Sequence, residues 1–378
     1  MGGKMGNEAI IMLAVGDLIF DMPDAESFLE LSVSTLRAAD VTVGHGEVVY
    51  TDRAVNTYTE VPAPPSDPKN MSAFKYGGFD VITLAGNHIW DSGPPGIEDT
   101  IKVLDDYGIA HTGAGMTIEE ARVPVIIERK GTRFGFLSYN CVGPKASWAT
   151  PDKPGCAYVH ILNHYEMPEF GSPKLYTFAE PDSLKEMIRD IKALRPQCDI
   201  LSVALHKGVG HVPAKIAMYD QQVSYAAIDA GADLILGHHA HILKGIEQYR
   251  GKTIFHGLCN FVTVTRALHP EEAPSHNLRM HAKRRLKYMK LDPDYPYFPF
   301  HPEAKQTIVA KILIEDKKIS RVSYLPCLID KQGRPEILKH DDRGQQIFEY
   351  MEKITREADL NAGYEWDGDE VLIHSPED

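Results

Sequence analysis

The chain has 378 residues, 43% hydrophobic and 25% charged, with 40 Lys and Arg against 53 Asp and Glu, a formal net charge of −13. That length holds one large domain or two ordinary ones, and the composition is that of a globular protein in water. The acidic balance argues against a duplex nucleic-acid partner, and no apolar run reaches the roughly 18 residues that a membrane span needs.

The segment 10–17, IIMLAVGD, reads as a buried strand, and 24–40 as a helix on the spacing of Phe28, Leu31 and Leu36. Strands follow at 41–47 and 79–88, then a helix at 94–108 opened by prolines and closed by glycine. Next comes a hairpin, VPVIIER and RFGFLSYN, turning at Lys130-Gly131. Helix 182–196 precedes strand 199–206, and helix 218–231 precedes strand 233–239. Two more hairpins are expected at 245–264, turning near Arg250-Gly251, and at 307–329, turning near Asp316-Lys317. An amphipathic helix at 343–360 opens a C-terminal helix and tail, 343–378.

This alternation predicts a layered α/β fold, and 1–378 is read as a single domain. Residues 141–181 and 266–306 break the rhythm and read as insertions, of the kind that form lids, binding loops or subunit contacts. The second holds a basic helix, NLRMHAKRRLKYMK, whose Arg279, Lys283, Arg284 and Arg285 either meet carboxylates or form a solvated face. A homo-oligomer is left open. The five cysteines are odd in number, widely spaced and without C-x-x-C, which fits a reducing compartment. The N-terminus lacks the apolar core and cleavage site of a signal peptide, so a cytoplasmic location is expected.

Five apolar strands end in groups that bind metals or move protons. The ends are Asp17; His45 and Glu47; Asn87 and His88, with Asp91 beyond; His206-Lys207; and His238, His239 and His241. Ligands of α/β sheets bind at the carboxyl ends of the strands. Each group alone has an ordinary alternative, a turn or a histidine bonded to backbone. Together, carboxylate, amide and imidazole donors suit divalent Mn, Fe, Zn or Co, and about six of them suit two ions bridged by a carboxylate. Extended residues at i and i+2 share a face, so His239 and His241 are assigned to the site and His238 to the opposite, structural side.

GD at 16–17, GNHIWDSG at 86–93, LHKG at 205–208 and GHHAHILKGIEQYRGKTIFHGLCNF at 237–261 resemble the poly-γ-glutamate capsule biosynthesis (CapA-type) family, a branch of the calcineurin-like metallophosphoesterase superfamily. The resemblance covers residues 10 to about 265 and resumes at TIVAKILIEDKKISRVSYLPCLID. It implies a four-layer α/β/β/α sandwich holding two metal ions. In it Asp17 and His241 would bind the first ion, Asn87, His206 and His239 the second, and Glu47 both. His88 would be the general acid, with Asp91 orienting it.

The sequence departs from the family pattern at several places. Ile19 stands where many superfamily members carry a histidine ligand, and His45 is a candidate replacement. Lys207, His256 and Cys259 stand where Trp, Tyr and Gly are usual, and are expected to face the substrate. The typical family member is membrane-anchored, whereas no membrane partner is expected here. The resemblance implies a dinuclear hydrolase in which a metal-bridging hydroxide attacks an amide, peptide or phosphoester bond of a small or oligomeric anionic, carboxylated substrate. Two alternatives stand beside it: a non-catalytic accessory subunit in the synthesis of a poly-γ-glutamate-like polymer, and an oxidative di-iron enzyme.

Overall fold

In the computed structural model, residues 9–55, 63–273, 275–289 and 291–375 are described. Two sheets carry the fold. The larger runs, in spatial order, Gly363–Asp367, Glu370–His374, Lys318–Ile329, Gln306–Glu315, Ile10–Phe20, Val41–Gly46, Val81–Thr83 and Ala110–Thr112. The smaller runs Ile246–Tyr249, Lys252–Phe255, Leu234–His239, Ile200–Lys207, Thr132–Asn140 and Val125–Arg129.

Side-chain alternation along these strands sorts the layers. Phe134, Phe136, Ile200, Ala204, Leu234 and Leu236 join the core shared with the larger sheet. Their neighbours Leu137, Leu201, Val203, Leu205 and Ile235 face the other way, onto Met187 and Ile191 of helix Pro181–Leu194 and Val223 and Ala227 of helix Met218–Ala230. On the larger sheet, Thr42 points outward and its hydroxyl donates to the Leu36 carbonyl at 3.0 Å, beneath helix Val33–Ala38. Helices therefore flank two stacked sheets, as the expected four-layer α/β/β/α sandwich requires. Burying each of the Leu, Ile, Val, Met and Phe side chains among them contributes roughly 1.5–3 kcal/mol.

Three expected elements differ. The helix at 24–40 is two short pieces, Ala25–Leu29 and Val33–Ala38. Ser32 lies between them, and its hydroxyl bonds the Leu29 carbonyl, a local bond that competes with a continuous helix. The hairpin at 245–264 ends at Phe255, and Asn260–Val264 crosses over to pair in parallel with the end of Ile10–Phe20. Two glycines permit that crossing: a Cβ on Gly16 would lie 2.1 Å from the Cys259 carbonyl oxygen, and one on Gly237 would lie 2.2 Å from that of His256. The stretch after helix Asp342–Glu357 is a hairpin, Gly363–Asp367 with Glu370–His374, that extends the larger sheet. Its alternating Tyr364, Trp366, Val371 and Ile373 around a positive-φ Gly368 explain why it pairs.

In the first insertion, Ile161–Glu166 pairs with Lys174–Ala179 in a hairpin that exposes Tyr165, Met167 and Phe170. The second insertion forms helix His276–Met289. No helix among the described residues is long and apolar enough to cross a membrane.

Candidate metal centre

The carboxyl ends of strands from both sheets meet at one buried cluster. Asp17 sits at a register shift in Ile10–Phe20, opposite Asn260. His45 and Glu47 follow one another out of Val41–Gly46, while Asn87 and His88 open a single helical turn, Asn87–Trp90, after Val81–Thr83. His206 and His238 are register partners on adjacent strands of the smaller sheet. Both point inward, on the same face as Ala204 and Leu236, and so reach across to the larger sheet.

Two clusters result, and they share Glu47. Asp17, Glu47 and His241 form one; His45, Glu47 and His206 form the other, each with its ligand-type atoms within 4.8 Å of one another. Glu47 Oε1 lies 3.3 Å from His241 Nε2, and Oε2 lies 3.3 Å from His45 Nε2 and 3.8 Å from His206 Nδ1. The Asp17 carboxylate lies 3.1 Å from His238 Nδ1 and 3.2 Å from His241 Nδ1. His206 Nε2 lies 2.7 Å from Asn87 Oδ1. The His239 ring is 4.9 Å from that of His206.

His238 is a correction. Side-chain alternation predicts it on the far, structural side, but it contacts Asp17 and stacks on His45 at 4.6 Å. The i, i+2 rule fails because the strand stops at His239. His239 has φ 82° and His241 φ 50°, and these left-handed residues swing their rings back into the site.

Lys207, His256 and Cys259 are also corrected: all three are buried away from the cavity beside the cluster. Alternation places Lys207, next to His206, on the opposite face, under helix Met218–Ala230, and His256 follows it there. Lys207 Nζ donates to His256 Nδ1 at 2.9 Å, and His256 Nε2 donates to Glu247 Oε2 at 2.8 Å. Cys259 Sγ donates to the Ala304 carbonyl at 3.4 Å.

The donor set fits a divalent cation. Asp17 Oδ2, His45 Nε2, both Glu47 oxygens, His206 Nδ1 and His239 Nδ1 are buried without a well-aligned hydrogen-bond partner. Buried polar atoms are normally satisfied, and so many unsatisfied ones converging on one point call for a shared positive charge. The carboxylates are already held ionised. Burial works to raise Asp17, but its bonds to His238 and His241 outweigh burial and hold it below the usual range. Burial likewise opposes ionisation of Glu47, and the surrounding imidazoles, His206 foremost, hold it well down. Burial pushes His206 and His239 down, the latter to about 4, so both offer neutral lone pairs.

His88 stands at the rim. Its Nδ1 lies 2.6 Å from Asp91 Oδ2, and its Nε2 lies 4.0 Å from Glu47 Oε1. Burial lowers its pKa, but Asp91 and then Glu47 together raise it by more, and the net shift is upward. A cavity of about 200 Å³ opens here. Glu47, Asn87, His88, His239 and His241 line it together with Ile19, Val48, Leu268 and Phe300. Sequence reasoning missed Asn260, whose Oδ1 lies 2.8 Å from His241 Nδ1, and Thr83, whose hydroxyl lies 3.0 Å from His45 Nδ1. It also missed His211, which stacks on His241 at 5.6 Å. Asn260 was within reach of sequence reasoning: a polar residue opening an apolar strand, NFVTV, was its signal.

The Lys207–His256–Glu247 chain makes stability depend on pH. Burial, and then the Lys207 charge, push His256 from its usual 6.5 down to about 4. Burial opposes Glu247 ionisation, but its bond from His256 leaves it lowered overall. A depressed folded-state pKa means the unfolded chain binds more protons, so this stability is present above pH 6.5 and lost as pH falls towards about 4. The His256 share is on the order of 3 kcal/mol. Denaturation midpoints measured across that window should fall steeply for the wild type and more gently for His256→Asn. Equal slopes would contradict the linkage.

Residues 11–265 match the family described as bacterial capsule synthesis protein PGA_cap. The capsule biosynthesis protein CapA of Bacillus anthracis is 29% identical over 195 residues, 51% of this chain and 42% of that protein. The PGA biosynthesis protein CapA of Bacillus subtilis is 27% identical over 263 residues, 67% of this chain and 61% of that protein. The chain thus spans about half the length of these relatives. Among solved structures, the calcineurin-like phosphoesterase YfkN of Bacillus subtilis aligns over 92% of this chain and 98% of that one, with 14% identity and a TM-score of 0.40.

Proposed function

This chain belongs to the bacterial capsule synthesis PGA_cap family, and we propose that it acts there as a dinuclear metal-dependent hydrolase. Its substrate is an anionic, carboxylated compound, cleaved at an amide or phosphoester bond. The observation that carries this reading is the pair of donor clusters sharing Glu47. Asp17 and His241 would hold one ion, and His206, His45, Asn87 and His239 the other, with Glu47 common to both. Ile19 offers no imidazole to the first ion, and His238, in contact with Asp17, would orient that carboxylate.

When bound, such ions activate water and stabilise the charge that develops on the electrophile. The chain's own residues do the rest. His88 carries a proton on Nε2, facing the cavity, while Asp91 holds Nδ1 and fixes the ring. A leaving oxygen or nitrogen placed between Glu47 and His88 takes that proton. Ile19, Val48, Leu268 and Phe300 supply apolar surface beside these groups, which lowers the local polarity in which they act.

The test is elemental analysis of protein purified without chelators, then removal of metal and reloading with Mn, Fe, Zn or Co. A γ-glutamyl anilide and a nitrophenyl phosphoester serve as probes of the two bond classes. About two ions per chain are expected, with turnover restored by one of the reloaded metals. Less than one ion per chain, with no turnover of either probe, would sink the hydrolase and favour a non-catalytic role.

A further inference from the structure

Helix His276–Met289, in the second insertion, sends one cation inward. Leu278 and Ala282 form its buried stripe, and the next position on that stripe, where an apolar residue would be usual, is Arg285. The helix's other Lys and Arg side chains are turned elsewhere: Lys283 pairs with Glu271 at 3.1 Å, Arg279 donates to the Ala273 carbonyl at 2.6 Å, and Arg284 and Lys287 are exposed. Arg285 lines the same cavity as Glu47 and His88.

Two contacts hold its guanidinium in place. Nε donates to the Pro299 carbonyl at 2.9 Å, and Nη2 donates to His211 Nε2 at 3.0 Å. Phe300 packs 5.8 Å below it. Neither polar contact carries a negative charge, and among the described residues no carboxylate forms an ion pair with Arg285. Burial pulls it down to about 10 with no acid opposing. Nη1 has no protein acceptor among the described residues.

Even a half-buried cation without a counter-ion carries a desolvation cost, and an anion that enters the cavity offsets it. We propose that Arg285, positioned by His211 and Pro299, is the anion subsite of this cavity and selects substrates that carry a carboxylate or phosphate beside the bond to be broken. A planar guanidinium held at Nε and Nη2 presents its remaining N–H groups to such an oxyanion. This deepens the hydrolase reading and rests on it for the word substrate; anion binding itself does not.

The experiment uses the protein as purified, with metal content measured on the same samples. Binding of inorganic phosphate and of L-glutamate is titrated by calorimetry to wild type, Arg285→Met and Arg284→Met. Arg285→Met is expected to weaken the preferred anion about 30-fold or more, with metal content and melting temperature unchanged. Arg284→Met should match wild type. Stronger binding of phosphate assigns a phosphoester, and stronger binding of glutamate assigns a carboxylated amide. Equal anion affinity in wild type and Arg285→Met overturns the subsite, as does the absence of binding of both anions to wild type. Low metal content with Arg285-dependent anion binding would instead remove the hydrolase reading and leave the subsite standing. Where Arg285→Met lowers the melting temperature, Arg285→Lys supplies the comparison, because it keeps the charge and loses the planar fork; it should bind with intermediate affinity.

Discussion

Glu47→Gln is expected to bring bound metal below about one ion per chain and to reduce turnover by about 1,000-fold or more. The substitution is nearly isosteric but removes the negative charge that both clusters share and replaces one of the two ligand oxygens by an NH2 group, since Glu47 alone belongs to each. Loss of a residue that merely supports a ligand already costs about 10–100-fold in affinity or activity, and a shared ligand costs more. Asp17 would be left as the one carboxylate among His45, His206, His238 and His241. Elemental analysis and a rate measurement on the same preparation check this. A Glu47→Gln protein that keeps both its metal and its activity would mean that the two clusters do not form a dinuclear centre.

His88→Asn should behave differently: metal content intact, turnover down by about 100- to 10,000-fold, the usual worth of a positioned general acid. The readout that separates a proton donor from a structural histidine is the leaving group. A nitrophenyl leaving group departs without protonation, so His88→Asn should hardly slow it, whereas an alkyl ester or amide should show the full loss. Asp91→Asn removes the partner at Nδ1 and should give the same pattern at about a tenth of the size. Equal losses on good and poor leaving groups would place His88 in binding or folding rather than in proton transfer.

Much of this molecule is legible in its sequence. Buried apolar strands alternating with helices imply a layered α/β fold, and the polar groups that end those strands, Asp17, Glu47, Asn87, His206, His239 and His241, do meet. Both facts are local: a strand's pattern says that it is buried, and its carboxyl end says where a ligand rim lies. The misreadings share one cause. Along Ile200–Lys207 and Leu234–His239 the pattern shows that alternate residues lie on opposite faces, but both faces are buried and both look apolar. Which face meets the other sheet and which meets a helix decides that His206 and His238 enter the site while Lys207 and His256 are sealed beneath helix Met218–Ala230.

By itself, then, the sequence determined the layered α/β class, the rim of strand ends and the chemistry of the donors gathered there. The tertiary structure alone decided how those donors divide. The pairing of His206 with His238, the left-handed turns at His239 and His241, the crossing of Asn260–Val264 to lie beside Asp17 and the docking of Arg285 in the cavity are all long-range events. Each depends on register and packing between segments far apart in the chain, and a one-dimensional period records only the faces of the element it runs through.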